Sequence, residues 1–245
     1  MKHTLLITTA LMLIVGCGSD TIKLDINNLI DRGGVMYAPN DEKPYTGDVF
    51  ELYEDGKKKL DGNYRKGLMN GKWTYYHENG QIHGQGRFID GDGGNISQLT
   101  KAPLNGRNGV WNFYYESGEK FGKAAYKNGV NVGLLTMWYK NGQKQTEATM
   151  KDGKPDGLTT GWYENGQKSG EGTYKDGKPD GSFTDWYENG QKKQEGNLKD
   201  GESDGLWTGW YENGQKKFKD IFKDGVIYGE CWDEDGNEID CDELE

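Results

Sequence analysis

The chain is short of nearly everything a packed enzyme core is built from. Hydrophobic residues make up 33% of its 245 residues, and mean hydropathy is -0.96. That scarcity disfavours a large helical or doubly wound α/β enzyme. Basic charge is in deficit as well: 30 Lys and Arg stand against 40 Asp and Glu, a formal net charge of -10. Proteins bind a nucleic-acid backbone by releasing its counterions with Lys and Arg, so this balance argues against a nucleic-acid partner. There are 3 His, and the first, His3, lies in the leader described below. Neither a Gly-x-Ser-x-Gly elbow nor a phosphate-cradling loop opening a helix is present. The carboxylates fall mostly in repeated turns, where Asp and Glu are solvated turn formers. The expectation is a protein that is not an enzyme and uses no cofactor.

What the chain has in plenty is glycine, at 39 residues, and aromatic side chains, with 8 Trp, 15 Tyr and 7 Phe. Low hydropathy alone would fit disorder, but disordered segments are poor in aromatics. The glycines also keep a period. Gly56, Gly80, Gly118, Gly142, Gly166, Gly190 and Gly214 are separated by 24, 38, 24, 24, 24 and 24 residues. A second series, Gly67, Gly91, Gly129, Gly153, Gly177, Gly201 and Gly225, has the same steps. One register therefore runs through the chain, broken by a 14-residue insertion at 92–105 that reads as a surface loop.

Within each unit, Asn-Gly or a close variant lies between two alternating segments, the strongest short-range hairpin signal. Each 24-residue unit reads as a β-hairpin. Lys-Asp-Gly-Lys-Pro-Asp-Gly links one hairpin to the next, placing Pro155 and Pro179 in loops. The expected fold is all-β, an elongated antiparallel meander of about eight hairpins. Gly71-Lys72-Trp73-Thr74-Tyr75-Tyr76-His77-Glu78-Asn79-Gly80 and its later copies resemble MORN-type repeats. They are most similar to the bacterial variant of about 24 residues found in proteins described as antitoxin components of toxin–antitoxin modules. The resemblance spans roughly Tyr45 to Gly229 and implies a scaffold that binds partners.

A two-residue Asn-Gly turn would make Trp73 face Gly86, Trp111 face Ala124, Leu135 face Ala148, Thr159 face Gly172, Phe183 face Gly196 and Trp207 face Asp220. On this aromatic–glycine face each ring would cover the backbone of its cross-strand glycine. Parity puts Tyr76, Tyr114, Trp138, Trp162, Trp186 and Trp210 on the other face, opposite His83, Phe121, Gln145, Ser169, Lys193 and Lys217. Such a ladder, with rungs about 10 Å apart, is the candidate binding surface for a protein or a glycan. The alternative is that these rings pack on neighbouring hairpins, and a three-residue turn or a bulge would exchange the faces. The same register points His77 and His83 to opposite faces, which leaves a histidine-based site unsupported.

The ends carry other signals. Residues 1–16 have a basic start at Lys2 and an apolar stretch from Leu5 to Val15, too short to cross a bilayer. Ile14-Val15-Gly16-Cys17 resembles a lipobox, which implies lipid attachment at Cys17; an ordinary secretory signal is the alternative. The expected destination is the cell envelope, the outer membrane where the host has two. Residues 17–43 read as tether and N-terminal cap, in which Leu24, Ile26, Leu29 and Ile30 cover the first hairpin's open edge. Residues 44–228 form the repeats, and 229–245 an acidic, shortened last unit. In an exported protein Cys231 and Cys241 are expected to pair, the alternative being free thiols. Asp233, Asp235 and Asn237 offer oxygens to Ca²⁺, but Gly236 is misplaced for an EF-hand, so an acidic hairpin cap turning at Asp235-Gly236 is the preferred reading. Functionally, the sequence reads as an envelope lipoprotein acting as a binding or scaffolding module. The alternatives are an immunity or antitoxin protein and a structural lipoprotein without a specific ligand.

Overall fold

The computed structural model describes residues 23–98, 100–223 and 226–244. In chain order the strands are β1 (Leu24–Asp25), β2 (Ile30–Asp31), β3 (Met36–Tyr37), β4 (Gly47–Leu52), β5 (Lys58–Arg65), β6 (Leu68–Tyr76), β7 (Ile82–Gly91), β8 (Arg107–Tyr114) and β9 (Lys120–Lys127). There follow β10 (Val130–Trp138), β11 (Lys144–Lys151), β12 (Lys154–Trp162), β13 (Lys168–Lys175), β14 (Lys178–Trp186), β15 (Lys192–Lys199), β16 (Glu202–Trp210), β17 (Lys216–Lys223), β18 (Val226–Trp232) and β19 (Glu238–Ile239). From β4 onward each strand pairs antiparallel with the next, and β1 adds in parallel to β4, giving one 17-stranded meander. The all-β hairpin meander is thus the architecture of the chain.

Two kinds of turn alternate along it. At Asp152-Gly153 both residues have positive φ, 51° and 80°, and Lys151 pairs with Lys154. That is a two-residue type I′ turn, whose twist matches the flanking strands. At the Asn-Gly sites only the glycine is left-handed, as at Gly142 with φ 83°. There Gly142 N–H donates to Tyr139 O at 3.0 Å, and Tyr139 N–H to Gln143 O at 2.9 Å. This is a three-residue loop, a type I turn closed by a left-handed glycine. It shifts the register by one, and Trp138 pairs with Lys144 instead of Gln145. Gln145 is then the extra residue of a bulge, and Met137 pairs with Thr146 in the original register.

The two irregularities cancel, so the expected central pairs hold, from Trp73 with Gly86 to Trp207 with Asp220. Next to the turns the expectation fails. The partners of Tyr76, Tyr114, Trp138, Trp162, Trp186 and Trp210 are Ile82, Lys120, Lys144, Lys168, Lys192 and Lys216. Pro155 and Pro179 are also displaced from expectation: they lie in β12 and β14, paired with Met150 and Tyr174. The prolines are tolerated because the ladder breaks beside them. Between Pro155 and Thr159 there are three residues, and only Thr149 opposes them.

The core lies on the aromatic–glycine face of the first hairpins. Val49, Tyr64, Met69, Trp73, Phe88, Trp111 and Phe113 are buried there. Burying one such side chain as fully as Phe88 contributes about 2 to 3 kcal/mol. The rings lean away from their cross-strand glycine toward the preceding hairpin. A Cβ built on Gly62 would sit inside the indole of Trp73, one on Gly86 inside Trp111, and one on Gly196 inside Trp207. The aromatic–glycine contact therefore joins hairpin to hairpin.

Two segments cover this buried half. Ile26, Leu29 and Met36 pack against the core, with β1 closing the edge at β4. Ile30 does not take part: it is 43% exposed and pairs with Tyr37 in a small separate hairpin. The insertion is not a surface loop but a lid, with Thr100 and Ala102 buried. It is pinned by Arg107, which is fully buried. Arg107 donates from Nε to Pro103 O at 2.7 Å and from Nη2 to Thr100 Oγ1 at 2.8 Å and Ala102 O at 3.2 Å, and its guanidinium lies over Trp111 at 4.5 Å.

Candidate binding face

Tyr76, Tyr114, Trp138, Trp162, Trp186 and Trp210 form one column on the face opposite the core, each half-buried. The turn–bulge offset has placed a lysine beside each indole. Lys144 Nζ lies 5.3 Å from the ring centre of Trp162, Lys168 5.5 Å from that of Trp186, and Lys192 5.8 Å from that of Trp210. Lys120 takes the same place at Trp138, and Lys216 at Trp232, a further rung. Trp232 escaped sequence reasoning because the last unit is two residues short. The column is thus an alternation of indole and ammonium, with one face of each ring taken by a neighbour. Lys144 and Lys168 also pair with Glu147 and Glu171 at 2.7 and 2.6 Å. These pairs are exposed and contribute little to stability.

By alternation along β10, Leu134, Thr136 and Trp138 share a face. Leu134 is 53% exposed, and the corresponding Val110, Leu158 and Leu206 are similarly open. The ladder face therefore presents an apolar column, a buried threonine row at Thr136 and Thr160, and the Trp–Lys column, side by side.

Two staples that sequence reasoning missed run along the turn edge. Tyr139 Oη donates to Trp162 O at 2.8 Å, Tyr163 to Trp186 O at 2.7 Å and Tyr187 to Trp210 O at 2.9 Å. Beside them Asn141 Nδ2 donates to Glu164 O at 2.7 Å, while its Oδ1 closes its own turn through Gln143 N–H. The recurrent Tyr-Glu-Asn-Gly was a visible signal for both.

His77 and His83 do not point to opposite faces. His83 is the bulged residue of its hairpin, which brings its ring to 4.5 Å from that of His77. His77 holds the place tyrosine holds elsewhere, and its Nε2 donates to Tyr114 O at 2.9 Å. Burial lowers the pKa of His83, reinforced by His77 and Arg107 and opposed by Glu116.

Among the described residues no three His, Cys, Asp or Glu side chains converge as for a metal. Of the calcium candidates, Asp233 Oδ1 accepts from the N–H groups of Asp235 and Asn237, and Asn237 Nδ2 donates back to Asp233. Asp235 lies in the exposed turn. Cys231 and Cys241 are joined as a disulfide. Cys17 lies outside the described residues.

None of the curated proteins matches the chain. The family model described as MORN repeat variant matches residues 69–90, 107–128, 131–152, 155–176, 179–200 and 203–224. The match at 107–128 begins just after the insertion and the other five just after a type I′ turn, and each contains one Asn-Gly-type turn with its two strands, so the repeat of the family is the hairpin of the fold. These matches cover more than half of the sequence, and the chain belongs to the MORN repeat variant family.

Proposed function

We propose that this chain is a non-enzymatic, lipid-anchored binding module of the bacterial cell envelope, and that it presents the ladder face to a protein partner. The observation that carries this reading is the exposed apolar column of Val110, Leu134, Leu158 and Leu206, interrupted at Ser182, beside the Trp–Lys column. Exposed apolar side chains that recur along one face and are rimmed by polar ones favour macromolecular contact. A glycan is the weaker option, because sugar rings stack on free aromatic faces and a lysine takes one face of each indole. The lipobox-like Ile14-Val15-Gly16-Cys17 supports anchoring at Cys17 in the envelope, at the outer membrane of a two-membrane host.

An immunity or antitoxin role is favoured by a separate observation, the exposed Glu164, Glu188 and Glu212 set one per hairpin along the turn edge. An acidic edge suits a basic toxin. A neighbouring toxin that co-purifies with the chain would decide for it.

The test is capture from native envelope extract, comparing the parent with a variant carrying Trp138, Trp162, Trp186 and Trp210 as Ala. Loss of a partner by a folded variant supports the ladder reading; unchanged capture places binding elsewhere. Incorporation of labelled fatty acid by the parent and not by Cys17→Ser tests the anchor.

A further inference from the structure

The contact of ring on glycine is reversed in the last unit. Tyr211 donates to Trp232 O as Tyr187 does to Trp210 O, so Trp232 holds the place of Trp210, and counting back along each strand sets Gly229 in the place of Trp207. Asp220, which pairs with Gly229, holds the place of Gly196. Trp207 covers Gly196, whereas Gly229 brings no side chain over β17. Beside Gly229 lies a cavity of about 620 Å³, with Phe218, Ile239 and Leu244 in its wall next to the Cys231–Cys241 bridge.

The same strand is the edge of the sheet. On the side away from β17, β19 pairs with Cys231 and Trp232 of β18, and among the described residues no strand pairs with 226–230. The other edge is closed by β1 on β4. Tyr228, Gly229 and Glu230 are consecutive and all exposed. Tyr228 is 63% exposed, and Ile221 and Leu206, in register with it on β17 and β16, are 46% and 48% exposed. The apolar column of the ladder face thus widens into a patch where it reaches unpaired backbone, and unpaired edge backbone templates an added strand. Glu230, Glu238 and Asp240 line the cavity with Asp220, and no Lys or Arg does. The nearby lysines are engaged: Lys219 pairs with Glu230 at 3.9 Å, and Lys216 and Lys217 lie over Trp232 and Tyr211. Such a lining disfavours an acidic occupant.

We propose that the outer side of β18 accepts a neutral, extended segment of a partner protein as an added strand. Main-chain hydrogen bonds to 226–230 hold it. Aliphatic side chains on one of its faces continue the row of Leu206, Ile221 and Tyr228, and an aromatic side chain on the other fills the cavity across Gly229. The chain builds the same arrangement internally, where Trp111 of β8 covers Gly86 of β7. The site uses none of the ladder indoles, so either reading can fail without the other.

The test is fluorescence anisotropy with the intact mature chain and a labelled, C-terminally amidated peptide of the β8 sequence, Arg-Asn-Gly-Val-Trp-Asn-Phe-Tyr. The same peptide with Ser for Trp is expected to bind about tenfold more weakly, equivalent to 1.4 kcal/mol. Of two peptides N-methylated at alternate residues in opposite phase, one is expected to bind and the other not, since one edge of an added strand faces β18. Gly229→Leu fills the cavity from within and is expected to bind the Trp and Ser peptides alike. Ile239→Ser, expected to weaken the Trp peptide alone, replaces it if a thermal melt shows that Gly229→Leu does not fold. The chain with Trp138, Trp162, Trp186 and Trp210 as Ala is expected to bind the peptide as the parent does; loss there assigns the peptide to the ladder face and overturns the proposal. Absence of binding, equal binding of both methylated peptides, or a Trp preference that survives the cavity variant overturns it too. So does sedimentation showing a dimer that Tyr228→Lys dissociates, which makes a second copy the occupant.

Discussion

Tyr163 Oη reaches across to the carbonyl oxygen of Trp186 at 2.7 Å, so a side chain of one hairpin satisfies the backbone of the next at the point where a three-residue turn has displaced the strand register. The contact recurs from Tyr53 with Tyr76 to Tyr211 with Trp232. In a stack where each unit touches only its neighbours, stability is a sum of unit and interface contributions. Tyr163→Phe removes one interface hydrogen bond and leaves the ring. It is expected to cost about 1 kcal/mol. The urea midpoint should fall with an unchanged slope; a midpoint equal to the parent's would assign the contact no net energy.

Gly62 and Gly161 make opposite predictions for the same substitution. A Cβ at Gly62 would meet the indole of Trp73, a ring closed in by Tyr64 and Phe88 at 5.4 and 5.9 Å. Gly62→Ala is expected to destabilise by about 1 to 3 kcal/mol through overpacking. At Gly161 the nearest neighbour is Ser169 Oγ at 2.9 Å, a side-chain end that can turn away. Gly161→Ala is expected to be near neutral. Thermal melts of the pair decide whether rings joining consecutive hairpins hold the stack.

Arg107 predicts how the insertion is fastened. Arg107→Ala removes bonds to Pro103, Thr100 and Ala102 and a cation from the face of Trp111. The expected loss is about 3 kcal/mol or more. Arg107→Lys is expected to rescue little of it, because an ammonium lacks the planar fork that meets several acceptors at once. Hydrogen exchange across residues 92–106 should quicken in both variants, while exchange in β14 to β16 stays as in the parent.

The hairpins and their central register were legible because Gly142 and its equivalents keep a 24-residue period. Cross-strand pairing then follows from parity. What parity could not carry was a pair of compensating shifts, the extra loop residue at each Asn-Gly turn and the bulge at Gln145 or His83. Each shift moves side chains between neighbours without disturbing Trp73 or Trp207. The lysine beside every ladder indole and the contact between the two histidines follow from that offset. Pro155 was misplaced for a related reason, since a strand accepts proline where its ladder already breaks. The lid over Arg107 left no periodic trace, because an insertion obeys no repeat, and its burial depends on a single residue of ordinary appearance in the sequence.

The His77–His83 ring contact predicts a pH dependence confined to one joint of the sheet. His83 has its pKa lowered by burial first, then by His77 and Arg107, with Glu116 opposing. The unfolded chain therefore binds more protons than the folded chain as pH falls through the ordinary imidazole value of about 6.5. Stability rises with pH wherever the unfolded state binds more protons. This contribution is thus fully present above that value and is lost below it. Glu171, whose Lys168 hydrogen bond lowers its carboxyl pKa, loses its own contribution only in the acid range of carboxylates. The two are separable by pH. The next hairpin supplies the control, since Phe121 occupies the place of His83, with its ring 5.3 Å from Tyr115. His83→Phe should keep the ring contact without the titration. Urea midpoints of the parent are expected to fall between pH 7.5 and 5.5 and those of His83→Phe to stay level. Parallel slopes in the two proteins would show that the histidine pair is not the source.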